Sequence, residues 1–394
     1  MRRIIIAVCM LILLVIAVLQ IMESRRTASP LGDPNHELAS LVSDFVAEDT
    51  SIHNCVLSVM KGDGSFSWTG AAGVARQDGG VPMTADTPFS TASITKLFTA
   101  TAVMRLYEEG KLSLNDPMAQ YLSDDLIDGI HIYKGKDYSR EITIRQLLSH
   151  TSGIADYYIE KPEGGKSLFE MFLEDPARKW SVDDTIEWAR TKLKPNFPPG
   201  TDASYSDTNF QLLGKIIEKI TGKPLHVVFE EFFFRPLSLD HTWLVGLSQP
   251  RSKATAAPAD VFYGDRNISE IRTNGSYWAD GGIISTAQEC ITFLKALNGG
   301  KLIRPETLRL MHNWHTLQFP LEYGYGTMYF KLPRLIRMVI KIPPLWGHSG
   351  SSGSFLYYSV DYDLYLAGTI NQTKSKIQPF RLMGSAIQII QSKD

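Results

Sequence analysis

Ser93-Ile94-Thr95-Lys96 opens the run Ser93-Ile94-Thr95-Lys96-Leu97-Phe98-Thr99-Ala100-Thr101-Ala102-Val103-Met104-Arg105-Leu106. Apolar residues at Leu97, Ala100, Val103 and Met104 recur at helical spacing, so a helix is expected with Ser93 at its N-terminus. Residues three apart on a helix share a face, and helical side chains lean toward the N-terminus. The Lys96 amine can then reach back to the Ser93 hydroxyl. The positive end of the helix dipole favours negative charge developing there. An acylating serine needs these three things: a nucleophile, an amine that can take its proton, and an aligned field.

A second Ser-x-x-Lys, Ser58-Val59-Met60-Lys61, is an internal control. It ends the stretch Cys55-Val56-Leu57-Ser58-Val59-Met60-Lys61, just before Gly62-Asp63-Gly64, and reads as a strand entering a hairpin. Residues three apart on a strand point to opposite faces, so Ser58 and Lys61 cannot cooperate. The motif carries chemistry only where the local structure is helical.

A Ser/Lys hydrolase needs a further proton carrier and a second oxyanion donor. Phe197-Pro198-Pro199-Gly200 leads through Tyr205-Ser206-Asp207 into the helical pattern Gln211-Leu212-Leu213-Gly214-Lys215-Ile216-Ile217 and can present a phenol. Trp346-Gly347-His348-Ser349-Gly350-Ser351-Ser352-Gly353 precedes the strand-like Phe355-Leu356-Tyr357-Tyr358-Ser359-Val360, and its glycines allow a close backbone approach.

Together these segments resemble the serine β-lactamase-like superfamily of DD-peptidases, class C β-lactamases, esterases and D-aminopeptidases. Ser93-x-x-Lys96 is similar to its first motif, Tyr205-Ser206-Asp207 to Tyr-x-Asn, and His348-Ser349-Gly350 to Lys/His-Thr/Ser-Gly. Leu147 to Gly153, Tyr323-Gly324-Tyr325-Gly326 and Gly281 to Ala287 add to the likeness, which covers residues 36 to 391. The resemblance implies Ser93 as nucleophile, with Lys96 and Tyr205 sharing the acid–base work. It implies an oxyanion hole from the N–H groups of Ser93 and Ser351, next to Gly350. It also implies that His348 lines the strand edge and helps place a substrate carboxylate or carbonyl. A phenol loses its proton near pH 10, so Tyr205 needs nearby positive charge, with Lys96 as the expected source.

Two departures bear on substrate. Asp207 stands where the family pattern has Asn; it would hold Lys96 charged and, unless protonated, cannot donate to a substrate amide. His348 replaces the lysine usual in class C β-lactamases, which removes a permanent cation.

The net charge of −2 argues against nucleic acid as a partner, and 394 residues are enough for a large core. Residues 4 to 22 are apolar apart from Gln20, follow Arg2 and Arg3, and lack a good small-x-small cleavage site. An uncleaved signal anchor over residues 1–22 is expected, with a linker at 23–35 and the catalytic domain outside the cytoplasm; secretion after cleavage is the alternative. Cys55 and Cys290 are expected as free buried thiols. His312 and His315 lack an evident third ligand, so no metal or cofactor is expected. His150 is expected to be a structural hydrogen-bonding residue. The basic run Lys331 to Lys341 reads as a surface loop, with contact to an anionic membrane as the alternative.

The strand patterns lie at both ends of the chain, near 55–61, 65–74, 326–331, 345–360 and 364–371, and helical patterns fill the middle. This predicts an α+β domain over 36–394, an antiparallel sheet flanked by helices with a mainly helical insertion over roughly 110–310. The expected function is a membrane-anchored hydrolase of D-amino-acid amides or esters of the cell envelope, acting on a small-molecule or peptidoglycan-like substrate. The alternatives are a non-catalytic penicillin-binding sensor and a slow class C-like β-lactamase. Hydrolysis of benzylpenicillin, followed by ultraviolet absorbance, is expected to be slow or absent; turnover like that of a dedicated resistance enzyme would overturn this.

Overall fold

The computed structural model describes residues 32–392 apart from 274, 319 and 334–341. Helix α1 (Pro34–Glu48) starts where the Asp33 carboxylate accepts from the Asn35 amide and Pro34 occupies the first turn. The chain then forms β1 (Asn54–Lys61), β2 (Ser67–Arg76) and β3 (Val81–Pro82). Six more strands come after residue 314: β4 (His315–Gln318), β5 (Leu321–Tyr323), β6 (Met328–Phe330), β7 (Leu345–Ser349), β8 (Ser354–Ser359) and β9 (Leu364–Thr369). All nine make one sheet in the order β4-β5-β6-β7-β8-β9-β1-β2-β3. The described neighbours pair antiparallel, and β1 closes onto β9 with Val56 opposite Thr369.

Alternation along β1 builds two layers. Cys55, Leu57 and Val59 pack with Leu38, Val42 and Phe45 of α1 and with Leu382, Met383 and Ile387 of α5 (Gln378–Gln391). Val56 points the other way, into a cluster with Ile291 and Leu294 of α4 (Ala287–Asn298) and with the helix that follows Ser93. β8 and β9 are buried along their whole length, as strands covered on both faces must be. Ser58 is on the Val56 face, where its hydroxyl meets that of Thr69 at 2.8 Å; pleating turns Lys61 to the other face.

Between the two groups of strands lie α2 (Thr95–Glu108) and α3 (Asp207–Thr221), the latter ended by Gly222 at φ 67°. The antiparallel sheet flanked by helices is the α+β architecture expected. The structure adds strands that the sequence pattern did not show. The strand pattern read across 345–360 is two strands folded back at Gly350–Gly353. β4 and β5 extend the sheet beyond the predicted strands. Phe89–Ser90, Ile283–Ser285 and Trp243–Leu244 form a small sheet that ties the segment before Ser93 to the middle region. Strands of two or three residues are too short to show a period.

Cys55 and Cys290 are free and buried, and burial pushes both thiols up. The segment read as a signal anchor lies outside the described residues, as do most of the linker and most of the basic run. Among the described residues no helix is long and apolar enough to cross a membrane.

Gly326 seats the sheet against α2. Its φ is +68°, and a Cβ there would lie 2.2 Å from the Ala100 Cβ. Gly326→Ala is therefore expected to cost about 2 kcal/mol in urea unfolding, from strain and overpacking together.

Candidate active site

Ser93 sits in a 3-10 turn (Ala92–Ile94) that runs directly into α2. Ala92, immediately before it, has a left-handed φ of 46°, a conformation that persists only where its surroundings impose it. On one side, the Thr91 amide and hydroxyl both donate to the Ile283 carbonyl, at 3.0 and 2.9 Å. On the other, the β7–β8 hairpin is stitched down: the Ser352 hydroxyl donates to the Ser90 carbonyl at 2.9 Å and the Ser354 hydroxyl to the Thr91 carbonyl at 2.7 Å. A Cβ on Gly350 would stand 2.4 Å from the Thr91 carbonyl oxygen, so only glycine lets the hairpin close on this turn. Ser351 is exposed at the hairpin tip.

Lys96 is 0% exposed. Its Nζ donates to Ser93 Oγ at 3.2 Å, to the Asp280 backbone carbonyl at 2.8 Å, and to Asp207 Oδ1. These three acceptors use all three ammonium protons. Burial pulls its pKa down, but the charges of Asp207 and then Asp280 outweigh burial and leave the pKa raised. Asp207 opens α3, where an acidic side chain also complements the helix dipole.

Tyr205 lies two residues before that helix. Its ring centroid is 5.1 Å from Lys96 Nζ. Its hydroxyl is buried, lies against Ser93, and makes no hydrogen bond of full geometry. Burial and then the Asp207 charge push the phenol well above its ordinary range, and the Ser93 hydroxyl offsets this only in part. The positive charge expected to help Tyr205 ionise is instead matched by Asp207.

His150 positions this segment. Its Nδ1 accepts from the Ser206 amide at 3.1 Å, its carbonyl accepts from the Ser204 amide at 3.0 Å, and its ring centroid is 4.2 Å from that of Tyr205. Burial and then the Lys96 charge hold the imidazole well below its usual pKa. The structural hydrogen-bonding role read for it describes these contacts.

His348, expected at the strand edge, lies within β7. It is 0% exposed, with Nδ1 at 2.8 Å from the Ser349 carbonyl and Nε2 at 3.1 Å from the Tyr323 hydroxyl. A carbonyl can only accept, so Nδ1 carries the proton and Nε2 accepts from Tyr323. Burial and then Lys96 push its pKa down to about 3. The ring is neutral and bonded through both nitrogens, which orients Tyr323.

Two acids escaped the sequence reading. Asp280 accepts from the Tyr157 hydroxyl at 2.6 Å and the Trp278 amide at 3.2 Å, and burial followed by Asp207 pushes it up to about 6. Asp156 is 1% exposed; one oxygen accepts from the Tyr158 amide at 2.9 Å and Oδ2 has no partner. Burial and then Asp207 raise its pKa well above the carboxylate range. The only signal for either was an aspartate before Gly281-Gly282 and one after Gly153.

Lys96→Met removes the ammonium that balances the buried charges of Asp207 and Asp280. We expect a loss of about 3 kcal/mol at pH 8, measured by urea unfolding. The loss should be smaller at pH 5: the Asp280 carboxyl is already pushed up to about 6 and loses the lowering influence of the Lys96 charge, so the penalty appears as pH rises through its folded value.

The sequence model of the family described as Beta-lactamase matches residues 38–384. Penicillin-binding protein 4 of Amycolatopsis lactamdurans is 31% identical over 306 residues, 73% of this chain and 72% of that protein. N-acetylmuramyl-L-alanine amidase of Bacillus subtilis is 33% identical over 194 residues, 48% of this chain and 41% of that protein. The chain spans about half the length of several other curated relatives. Among solved structures, a D-stereospecific amidohydrolase from Streptomyces sp. superposes with a TM-score of 0.68 at 30% identity, over 87% of this chain and 95% of that one. With the Ser93–Lys96 turn set between an antiparallel sheet and helices, the chain belongs to the β-lactamase family, whose members among its relatives are serine hydrolases.

Proposed function

We propose that this chain is an extracytoplasmic serine hydrolase that works through an acyl-enzyme on D-amino-acid amides or esters of the cell envelope. DD-carboxypeptidase, D-aminopeptidase and esterase activities all fall within this reading. The observation that carries it is the three-way hold on Lys96 Nζ by Ser93, Asp207 and the Asp280 carbonyl. The Streptomyces relative, named as a D-stereospecific amidohydrolase, supports the choice of substrate. The apolar run from Ile4 to Met22 behind Arg2 and Arg3 supports membrane anchoring with the catalytic domain outside.

Lys96 and Tyr205 both carry their protons at rest, so acylation draws on Asp207. As Ser93 Oγ bonds to the substrate carbonyl carbon, its proton passes to Lys96 Nζ while a Lys96 proton passes to Asp207 Oδ1. The backbone N–H groups of Ser93 and Ser351 receive the developing oxyanion. Tyr205 gives its proton to the leaving nitrogen or oxygen as the C–N or C–O bond breaks, and regains one through Lys96 as Asp207 returns to carboxylate. Water then repeats the sequence in reverse against the acyl-Ser93 ester.

A second reading, a penicillin-binding sensor that acylates without release, draws on the same hold, because every Lys96 proton is engaged and no free base stands ready. Intact mass after incubation with p-nitrophenyl acetate or a penicillin separates the two. We expect a transient adduct with the ester that is absent in Ser93→Ala, with p-nitrophenol release at least about 100-fold slower in that variant. A stable adduct favours the sensor; equal release by both proteins would remove Ser93 from the chemistry.

A further inference from the structure

Arg272 lies in a short 3-10 turn (Ser269–Thr273) and is left without an anion. Its Nε donates to the Ser269 carbonyl at 3.3 Å, while Nη1 is buried and has no hydrogen-bond partner. The charge of Asp260 bears on it, but both Asp260 oxygens are used elsewhere: Oδ1 accepts from the Ser269 hydroxyl at 3.1 Å and Oδ2 from the Gln77 amide at 3.0 Å. Among the described residues Arg272 forms no ion pair. Burial pulls the guanidinium down to about 10, which leaves it charged at neutral pH. A buried charge without a counter-charge is costly, and a guanidinium presents its N–H donors in a fork that fits a carboxylate.

Tyr277 connects this cation to the nucleophile turn. The Arg272 charge bears on the Tyr277 phenol. The Tyr277 ring lies against Gly281, where an added Cβ would stand 3.3 Å from Tyr277 Cδ1 and 3.8 Å from the Ala92 carbonyl carbon. The Tyr277 hydroxyl meets that of Tyr158 at 2.8 Å. Arg272, Tyr158 and Tyr277 are each half-buried, so the group stands at the open margin of the core and is not sealed within it. Tyr205, the proton donor to the leaving group, packs with His150 and Tyr323 and not with these rings. Proton donation places the leaving group on the Tyr205 side, which leaves the Tyr277 side to the acyl chain.

We propose that Arg272 is an acyl-side specificity residue: its Nη1, beside the Tyr277 and Tyr158 hydroxyls, receives a carboxylate carried on the acyl part of the substrate. The preferred acyl groups are then acidic, with a chain between the scissile carbonyl and the carboxylate. This rests on the reading of Ser93 as the acylated nucleophile. Arg272 supplies, beyond Tyr277, the positive charge that the neutral His348 does not.

Ester pairs that differ only in the acyl charge test the proposal: p-nitrophenyl hydrogen adipate and hydrogen suberate, each against its methyl ester, at pH 7. For at least one chain length the acid should have a kcat/KM at least about tenfold above that of its methyl ester. In Arg272→Met this preference should fall to about twofold or less with the methyl ester unchanged, and Arg272→Lys should retain part of it. Arg272→Met removes a charge that has no ion pair, so its urea midpoint should match or exceed that of the parent protein; failure to fold would mean a structural partner and would overturn the proposal. No preference for the acid at either length, or a preference unchanged by Arg272→Met, would also overturn it. Ser93-dependent release from the methyl esters without acid preference defeats the Arg272 site alone. If no ester shows Ser93-dependent release, the nucleophile reading fails, and calorimetry of adipic acid monoanilide against its methyl ester, with and without Arg272→Met, decides the site: tighter binding of the acid that is lost in the variant supports it, and equal binding overturns it.

Discussion

The ammonium of Lys96 is the charge around which this site is assembled. Removing such a group from water costs several kcal/mol, and it stays charged only if every proton finds an acceptor in good position. The acceptors come from three places in the chain: the turn that begins α2, the first residue of α3, and the loop before Ile283. Satisfying one lysine therefore docks α3 and the Asp280 loop against the nucleophile turn. Asp207 is well suited to its part, since at the start of α3 its charge also complements the helix dipole.

That constraint needs a rigid frame, which the sheet supplies. The β7–β8 hairpin meets the strand before Ser93 through hydroxyl-to-carbonyl bonds and a glycine without room for a Cβ. The left-handed Ala92 is held between this hairpin and the Ile283 strand. This frame holds the Ser93 hydroxyl against Lys96 and Tyr205. His150 and His348 belong to the same frame as neutral imidazoles: one fixes the segment that carries Tyr205, the other fixes Tyr323.

Electrostatics gives the site its individuality. Where one cation faces three buried carboxyls, protonation must be shared, and Asp280 and Asp156 are both pushed toward their neutral forms. Such a cleft differs in kind from one built on a permanent lysine at the His348 position, which would attract anionic substrates. The Asp207 side chain keeps Lys96 charged at rest.

Local chemistry was legible along the chain. A strand run entering the turn Gly62-Asp63-Gly64 located β1, helical spacing located α2, and the contrast between Ser58 and Ser93 showed that Ser-x-x-Lys brings its side chains together only where three residues make nearly one turn. Three motifs in order were enough to indicate the architecture. The sequence could not show what depends on distant segments meeting. Asp280 lies 184 residues from Lys96 and contributes through its backbone, which no side-chain motif records. The burial that makes His348 neutral, the missing partner of Asp156 and the matching of Lys96 by Asp207 follow from packing and desolvation. The amino-acid sequence by itself determined which groups could react and on which elements they sit, because periodicity and motif spacing are local. The tertiary structure alone decided their charges and neighbours, because desolvation and Coulomb energy depend on what surrounds a group in space.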